Sequence, residues 1–243
     1  MSNTELLHTI SVAAERYRPS EQAQQALTGK VFVPLIGPFA TGKSTLAKAV
    51  AALDPEFCHV ASFKTRPPRQ DEPPRGPHFI DPNDTSALQK LHQDVQNGQL
   101  INLFTHPETN NLYGTRPGAF MTAYCMLETM PGAIDHFRDL PFDAVRPVVV
   151  ICEPEEWVSR VGARYAGQFE QYAEVRKRLD EGMQNIHHCL NDPSMLWINN
   201  SYGVESAAQE LVAIARSGHT PDPHNRSIGE TLLHTMQELR STL

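Results

Sequence analysis

Gly37-Pro38-Phe39-Ala40-Thr41-Gly42-Lys43-Ser44 fits the pattern G-x-x-x-x-G-K-[ST] and decides the fold. Immediately before it, Val31-Phe32-Val33-Pro34-Leu35-Ile36 is a short apolar run rich in β-branched residues, which reads as a buried parallel strand. Immediately after it, Thr45 to Leu53 reads as a helix. Strand, glycine loop and helix in this order make a phosphate-binding loop. The glycines let successive N–H groups point at phosphate oxygens, and the helix N-terminus adds the positive end of its dipole. Lys43 then reaches the β- and γ-phosphates, and Ser44 can ligate Mg²⁺. A nucleotide site over Gly37 to Thr45 is the expectation.

Working outward, a length of 243 residues suits one main α/β domain with appendages and a sizeable core. The formal net charge of −7 argues against broad nucleic-acid or anionic-membrane binding, so a local positive cluster reads as a site. Cys58, Cys125, Cys152 and Cys189 are widely spaced with no C-x-x-C pair, which suggests neither a zinc site nor a disulfide framework and fits a reducing cytoplasm. The N-terminus lacks the basic start and apolar core of a signal peptide, and no apolar run approaches about 20 residues. A soluble, cytoplasmic protein is expected. The histidines offer no ligand spacing beyond the adjacent pair His187-His188.

Residues 1–29 read as a helical N-terminal extension broken at Pro19. Val60 to Gly76 is rich in arginine and proline, which disfavours helix and predicts an ordered loop carrying positive charge. A helix is expected over 84–97 and a short strand over Leu100 to Phe104, while Met121 to Leu127 fits a strand or a helix end. Val148 to Cys152 is the clearest later strand, and Pro154-Glu155-Glu156-Trp157 opens a helix with residues suited to a first turn. A long charged helix over Glu170 to Leu190, a strand over Met195 to Asn199 and a covering helix over Ser206 to Ala215 follow. Residues 217–243 read as a linker and one more helix. Strands alternating with helices predict a three-layer α/β/α fold of the P-loop NTPase type with a parallel sheet.

Downstream of the loop, Ser62-Phe63-Lys64-Thr65-Arg66-Pro67-Pro68-Arg69 places two guanidinium forks on a proline-stiffened segment, a pattern suited to a phosphate dianion. Tyr113-Gly114-Thr115 adds a phenol and a hydroxyl on what reads as a turn. Together with the loop, these segments resemble the guanylate kinase family, whose members carry S-x-T-T-R-x-P-R and then Y-Y-G-T/S in the same order. The resemblance covers about residues 30–216, with an acceptor-binding subdomain at about 60–118 and a lid at about 157–180. It implies that Arg66, Arg69 and Tyr113 hold the acceptor's phosphate and that Ser62 and Thr115 help hold its base. Trp157 to Arg164 is similar to the lid segment L-x-x-R-L-x-x-R, so Arg160 and Arg164, with Arg178, are the implied lid arginines that join Lys43 in catalysis. Leu196-Trp197-Ile198-Asn199-Asn200 is similar to the strand ending beside adenine, which puts Asn199 at the ATP site.

The departures bear on the acceptor. The family reads guanine with a glutamate before the Y-Y-G turn and an aspartate in an L-D-I-D strand. Here the matching positions are Asn102 (or Phe104, depending on a two-residue gap) and Thr129. An amide or hydroxyl weakens and redirects a reading that depends on a carboxylate accepting from guanine N–H groups. A phosphate-clamping tyrosine expected before a Phe79-Ile80 strand is replaced by Pro77 or His78, and Leu127 takes the first aspartate position unless a gap brings in Glu128. Mg²⁺ would then rest on Ser44, with Glu128 as the nearby acid. The implied function is transfer of the ATP γ-phosphoryl to a small phosphorylated acceptor, with ATP and Mg²⁺ as cofactors. GMP is the leading acceptor, another nucleotide or a sugar phosphate is the alternative, and a non-catalytic ATP-binding module is the third reading.

Overall fold

A computed structural model of the chain describes residues 1–68, 78–106, 109–165 and 172–243. Strand β1 (Val31–Ile36) is buried at every position but the first, as its uninterrupted apolar run requires of a central parallel strand. On one side it pairs with β6 (Tyr124–Glu128), Leu35 lying opposite Glu128. On the other it pairs with β8 (Val148–Ile151), preceded by the short β7 (Ala144–Val145). β2 (Phe57–His59) extends the sheet beyond β6, and β9 (Leu196–Asn199) extends it beyond β8. The order is β2-β6-β1-β8-β9, and every pair is parallel.

Helices cover both faces, so this unit has three layers. Val33, Leu35, Val148, Val150 and Ile198 point to one face and pack with Leu46 and Val50 of α3 (Lys43–Leu53) and Leu211 and Ile214 of α8 (Val204–Ser217). Ile36, Val149, Ile151 and Trp197 point to the other, one residue out of phase as the period of two demands. There they pack with α5 (Ile134–Arg138), α6 (Pro154–Tyr165), α7 (Tyr172–Leu190) and α9 (His224–Thr242). These elements lie within Gly29–His59 and Thr122–Leu243, one of two compact units of the chain.

The other unit comprises Met1–Thr28 and Val60–Met121. Its sheet is antiparallel, in the order β3-β5-β4, from β3 (Ser62–Lys64), β4 (Asn102–Thr105) and β5 (Leu112–Thr115). Phe63, Leu103 and Leu112 turn to one face, where they meet Ile10 of α1 (Asn3–Ala14) and Leu91 and Val95 of α4 (Thr85–Gln96). Ser2 and Glu5 close a capping box on α1, and Asp84 caps α4 by accepting from Ser86 and Ala87 N–H. Ile10 and Tyr17 thus share a core with Phe63 and Leu100, and Met1–Thr28, which includes the one-turn α2 (Glu21–Gln24), groups with Val60–Met121.

Three local expectations change, and one left open is decided. Tyr113-Gly114-Thr115 is strand, not turn, because β5 is paired on both edges; a Cβ on Gly114 would meet Phe63 Cζ at 2.5 Å and Asn102 O at 2.7 Å. The arginine-rich segment contains β3, since Ser62 to Lys64 finds its partner in β5 some fifty residues on. Phe79-Ile80 makes only an isolated bridge to Lys64 rather than a strand. Met121 to Leu127 resolves as strand β6 from Tyr124 onward. All four cysteines are buried, and among the described residues none is in a disulfide; Cys58 Sγ lies 3.6 Å from Cys125 Sγ. Among the described residues no helix is long and apolar enough to cross a membrane.

Candidate functional site

The loop between β1 and α3 is built by backbone shape first. Gly37 has φ +136°, and a Cβ there would lie 2.3 Å from the Val150 carbonyl, so only glycine lets the loop pass β8. Gly42 has φ +88°, and a Cβ would meet Asn200 Nδ2 at 2.5 Å. Ala40 takes φ +62°, a left-handed position that costs a residue with a Cβ about 1 kcal/mol. Gly42 caps α3 without a side-chain hydrogen bond, so the N-cap residue itself does not occupy the first-turn amides that an anion would take. Ser44 and Thr45 are exposed in that first turn.

The loop is then tied down from both ends. Thr41, fully buried, donates its hydroxyl to Pro38 O at 3.0 Å. Lys43 Nζ donates to Gly37 O at 2.8 Å and to Pro38 O at 2.7 Å. The Trp157 indole donates to Phe39 O at 2.8 Å, and the Phe39 ring packs edge-on against Trp157 and Tyr165. Asn200 Nδ2 donates to Thr41 O at 2.9 Å, with Arg160 Nη1 on the same carbonyl at 3.3 Å and Arg160 Nη2 on Asn200 O at 2.8 Å. Glu156 accepts from Arg160 Nε. Asn199, the expected adenine neighbour, donates to Glu153 Oε1 and accepts from Ser201 N–H.

The charges gather around Lys43. Burial pushes its ammonium below the ordinary lysine value; Glu128 and Glu181 pull it back up, and Arg178 and Arg164 push it further down. Arg164 is exposed, whereas Arg178 is held by Glu174 at 2.7 Å. Glu128 ends β6 beside the loop's own strand and pairs with His59 Nε2 at 3.6 Å. Thr129 follows, its N–H on Leu35 O and its buried hydroxyl without a partner among the described residues.

In the smaller unit the three strands sort their side chains by face. Opposite residues on antiparallel strands share a face, and Ser62, Thr115 and Asn102 form one such row. Lys64, Tyr113 and Phe104 form the next row on that face, opposite the one that packs on α1 and α4. Asn102 Oδ1 accepts from the Thr115 hydroxyl, and both residues are buried. The Tyr113 ring stacks on Phe104 with centroids 5.1 Å apart. Arg66 donates to Pro67 O at 2.9 Å, and its guanidinium and the Lys64 ammonium both lie over the Phe79 ring. Arg69 and Pro77 lie outside the described residues.

The site's supporting residues leave weak marks in the sequence. Asn200 and Trp157 hold the loop from strand and helix ends more than a hundred residues away, and only the asparagine pair closing β9 and the lone indole opening α6 hint at them.

Among solved structures, the chain is similar to the crystal structure of guanylate kinase from Anaplasma phagocytophilum, with a TM-score of 0.49 and 15% sequence identity over 85% of this chain and 95% of that one. No protein-family model matches the sequence. No curated protein matches it either.

Proposed function

We propose that this chain is an ATP-dependent phosphotransferase of guanylate kinase type, moving the ATP γ-phosphoryl to a small phosphorylated acceptor, with GMP as the leading candidate. The observation that carries the reading is the glycine-shaped loop from Gly37 to Ser44, with its lysine, on a parallel strand and a helix N-terminus. Phosphoryl transfer asks for positioning and charge neutralisation rather than covalent chemistry from the protein. First-turn amides and Lys43 would take the phosphates of ATP. Arg164 and Arg178, already in the field of Lys43, would add positive charge as it builds on the transferring group. Arg160 would act from where it is anchored, on the loop's backbone. Arg66, Arg69 and Tyr113 would hold the acceptor's phosphate, with Ser62, Asn102 and Thr115 around its base.

The oxygen donors at the loop fit a Mg²⁺ ion. The exposed Ser44 hydroxyl and the Glu128 carboxylate are hard ligands of the kind that ion takes, with water and ATP oxygens completing its shell. Bound there, the ion would neutralise charge on the β- and γ-phosphates.

A second reading, an acceptor other than GMP, has its own support. Asn102 is buried with its carbonyl oxygen engaged by Thr115, which leaves an amide N–H₂ where guanine would need an acceptor. Another nucleoside monophosphate or a sugar phosphate is the acceptor this second reading names.

The test is ADP formation from ATP·Mg²⁺ across a panel of mononucleotides and sugar phosphates, for wild type and Lys43→Ala. The variant is expected to keep its melting temperature and to lose at least about 100-fold in turnover, as on removal of a charge-stabilising group. Turnover within about threefold of wild type takes Lys43 out of the mechanism. Stoichiometric ATP binding with no turnover on any acceptor marks a binding module instead.

A further inference from the structure

The C-terminal helix α9 meets the phosphate-binding loop through a gap left by one glycine. A Cβ on Gly182 of α7 would lie 3.1 Å from Pro38 Cβ, 3.7 Å from Pro38 Cα and 2.5 Å from Met236 Cε. Loop, α7 and α9 therefore converge on one point, and Met236 is fully buried there. Pro38 is the residue whose carbonyl accepts both Lys43 Nζ and the Thr41 hydroxyl, so a movement of Pro38 moves one of the two carbonyls that hold Lys43. The next two loop residues, Phe39 and Ala40, pack on the same core as Leu232 and Met236.

α9 is held to this position along its length. Asn225 Nδ2 donates to Trp197 O at 2.9 Å near its start. Gly229 lies against the Trp197 ring, where a Cβ would come within 2.4 Å of Cζ3. Near its end, Arg240 makes a two-point ion pair with Asp180 of α7, at 2.9 and 3.2 Å, two residues before Gly182. Close-packed interiors transmit such displacements rather than absorb them.

We propose that α9 is a strut for the phosphate-binding loop, with Met236 and Gly182 as positioning residues that fix Pro38 and through it Lys43. The proposal rests on the reading of this loop as a nucleotide site. It makes the C-terminal helix part of the donor site rather than an appendage.

The experiment uses the full chain and isothermal titration with ATP·Mg²⁺ alone, beside melting temperatures without nucleotide. Met236→Ala should weaken ATP binding at least about fivefold, and the volume-conserving Met236→Leu should stay within about twofold of wild type. Ile228→Ala, on the same helix about 12 Å away, should lower the melting temperature comparably while leaving ATP affinity within about twofold. Gly182→Ala adds one methyl against Met236 Cε and Pro38 without opening a cavity, and should also weaken binding should Met236→Ala fail to fold. Wild type that binds ATP, with Met236→Ala or Gly182→Ala binding as tightly, overturns the strut alone. Equal weakening by Ile228→Ala also overturns it, since that marks general loosening. Wild type that binds no ATP overturns the nucleotide reading and the strut with it.

Discussion

Tyr17→Phe removes one oxygen from the core of the smaller unit, and its cost can be worked from two bonds. Tyr17 is 7% exposed; its hydroxyl donates to Leu100 O at 2.9 Å and accepts from Leu100 N–H at 2.7 Å. The phenylalanine ring keeps the apolar packing but strands a buried donor and a buried acceptor. The expected loss is about 2–4 kcal/mol. A second measurement separates this from a packing effect. Burial, aided by the charge of Asp94 and opposed by the Leu100 bond, pushes the phenol from its ordinary 10.0 up to about 12. Above pH 10 the unfolded chain gives up this proton while the folded chain keeps it. The folded state then binds more protons, so stability falls as pH rises through that window. At pH 11 the wild type should have lost about 1.4 kcal/mol that the variant never had. Urea unfolding followed by circular dichroism at pH 8 and pH 11 should therefore show a smaller difference between the two chains at the higher pH. A difference below about 0.5 kcal/mol at pH 8, within the range of an ordinary surface substitution, refutes the docking of residues 1–28 on this core.

Arg66→Ala should raise the acceptor KM at least about tenfold with little change in the ATP KM, as expected when one charge-assisted phosphate contact is removed. Steady-state kinetics with each substrate varied will decide it, and a defect confined to ATP would place Arg66 on the donor side. If the family resemblance assigns Asn102 and Thr129 to the guanine-reading positions correctly, GMP should be used about 100-fold or more below the preferred acceptor in kcat/KM. Asn102→Glu combined with Thr129→Asp should raise GMP use. Efficient, preferred use of GMP by wild type refutes this account of the two positions.

What could be read from the sequence was what is decided locally. β1 and α3 declare themselves because an apolar run, a glycine loop and a helical period adjoin one another, and their observed bounds lie within two residues of those expected. β3 and β2 could not be read, being three residues each with no period to detect. Ser62 to Lys64 is a strand only because β5 lies beside it, and Phe57 to His59 only because β6 does. In the candidate site the glycines, Lys43 and the arginines stood out by type and spacing. Asn200, Gly182 and Met236 did not, since a hydrogen bond to Thr41 O or a gap against Pro38 exists only once distant helices have packed.

The chain contains two tryptophans, and the fold gives them separate stations. Trp157 grips the backbone of Phe39, while Trp197 lies under Gly229 of α9. Indole emission responds to the indole's hydrogen bond and to the groups around its ring. The molecule therefore carries two internal optical gauges, one set on the loop and one on the C-terminal helix. Trp157→Phe leaves the helix gauge alone, so displacement of the loop and displacement of α9 can be told apart by light emission without attaching a dye.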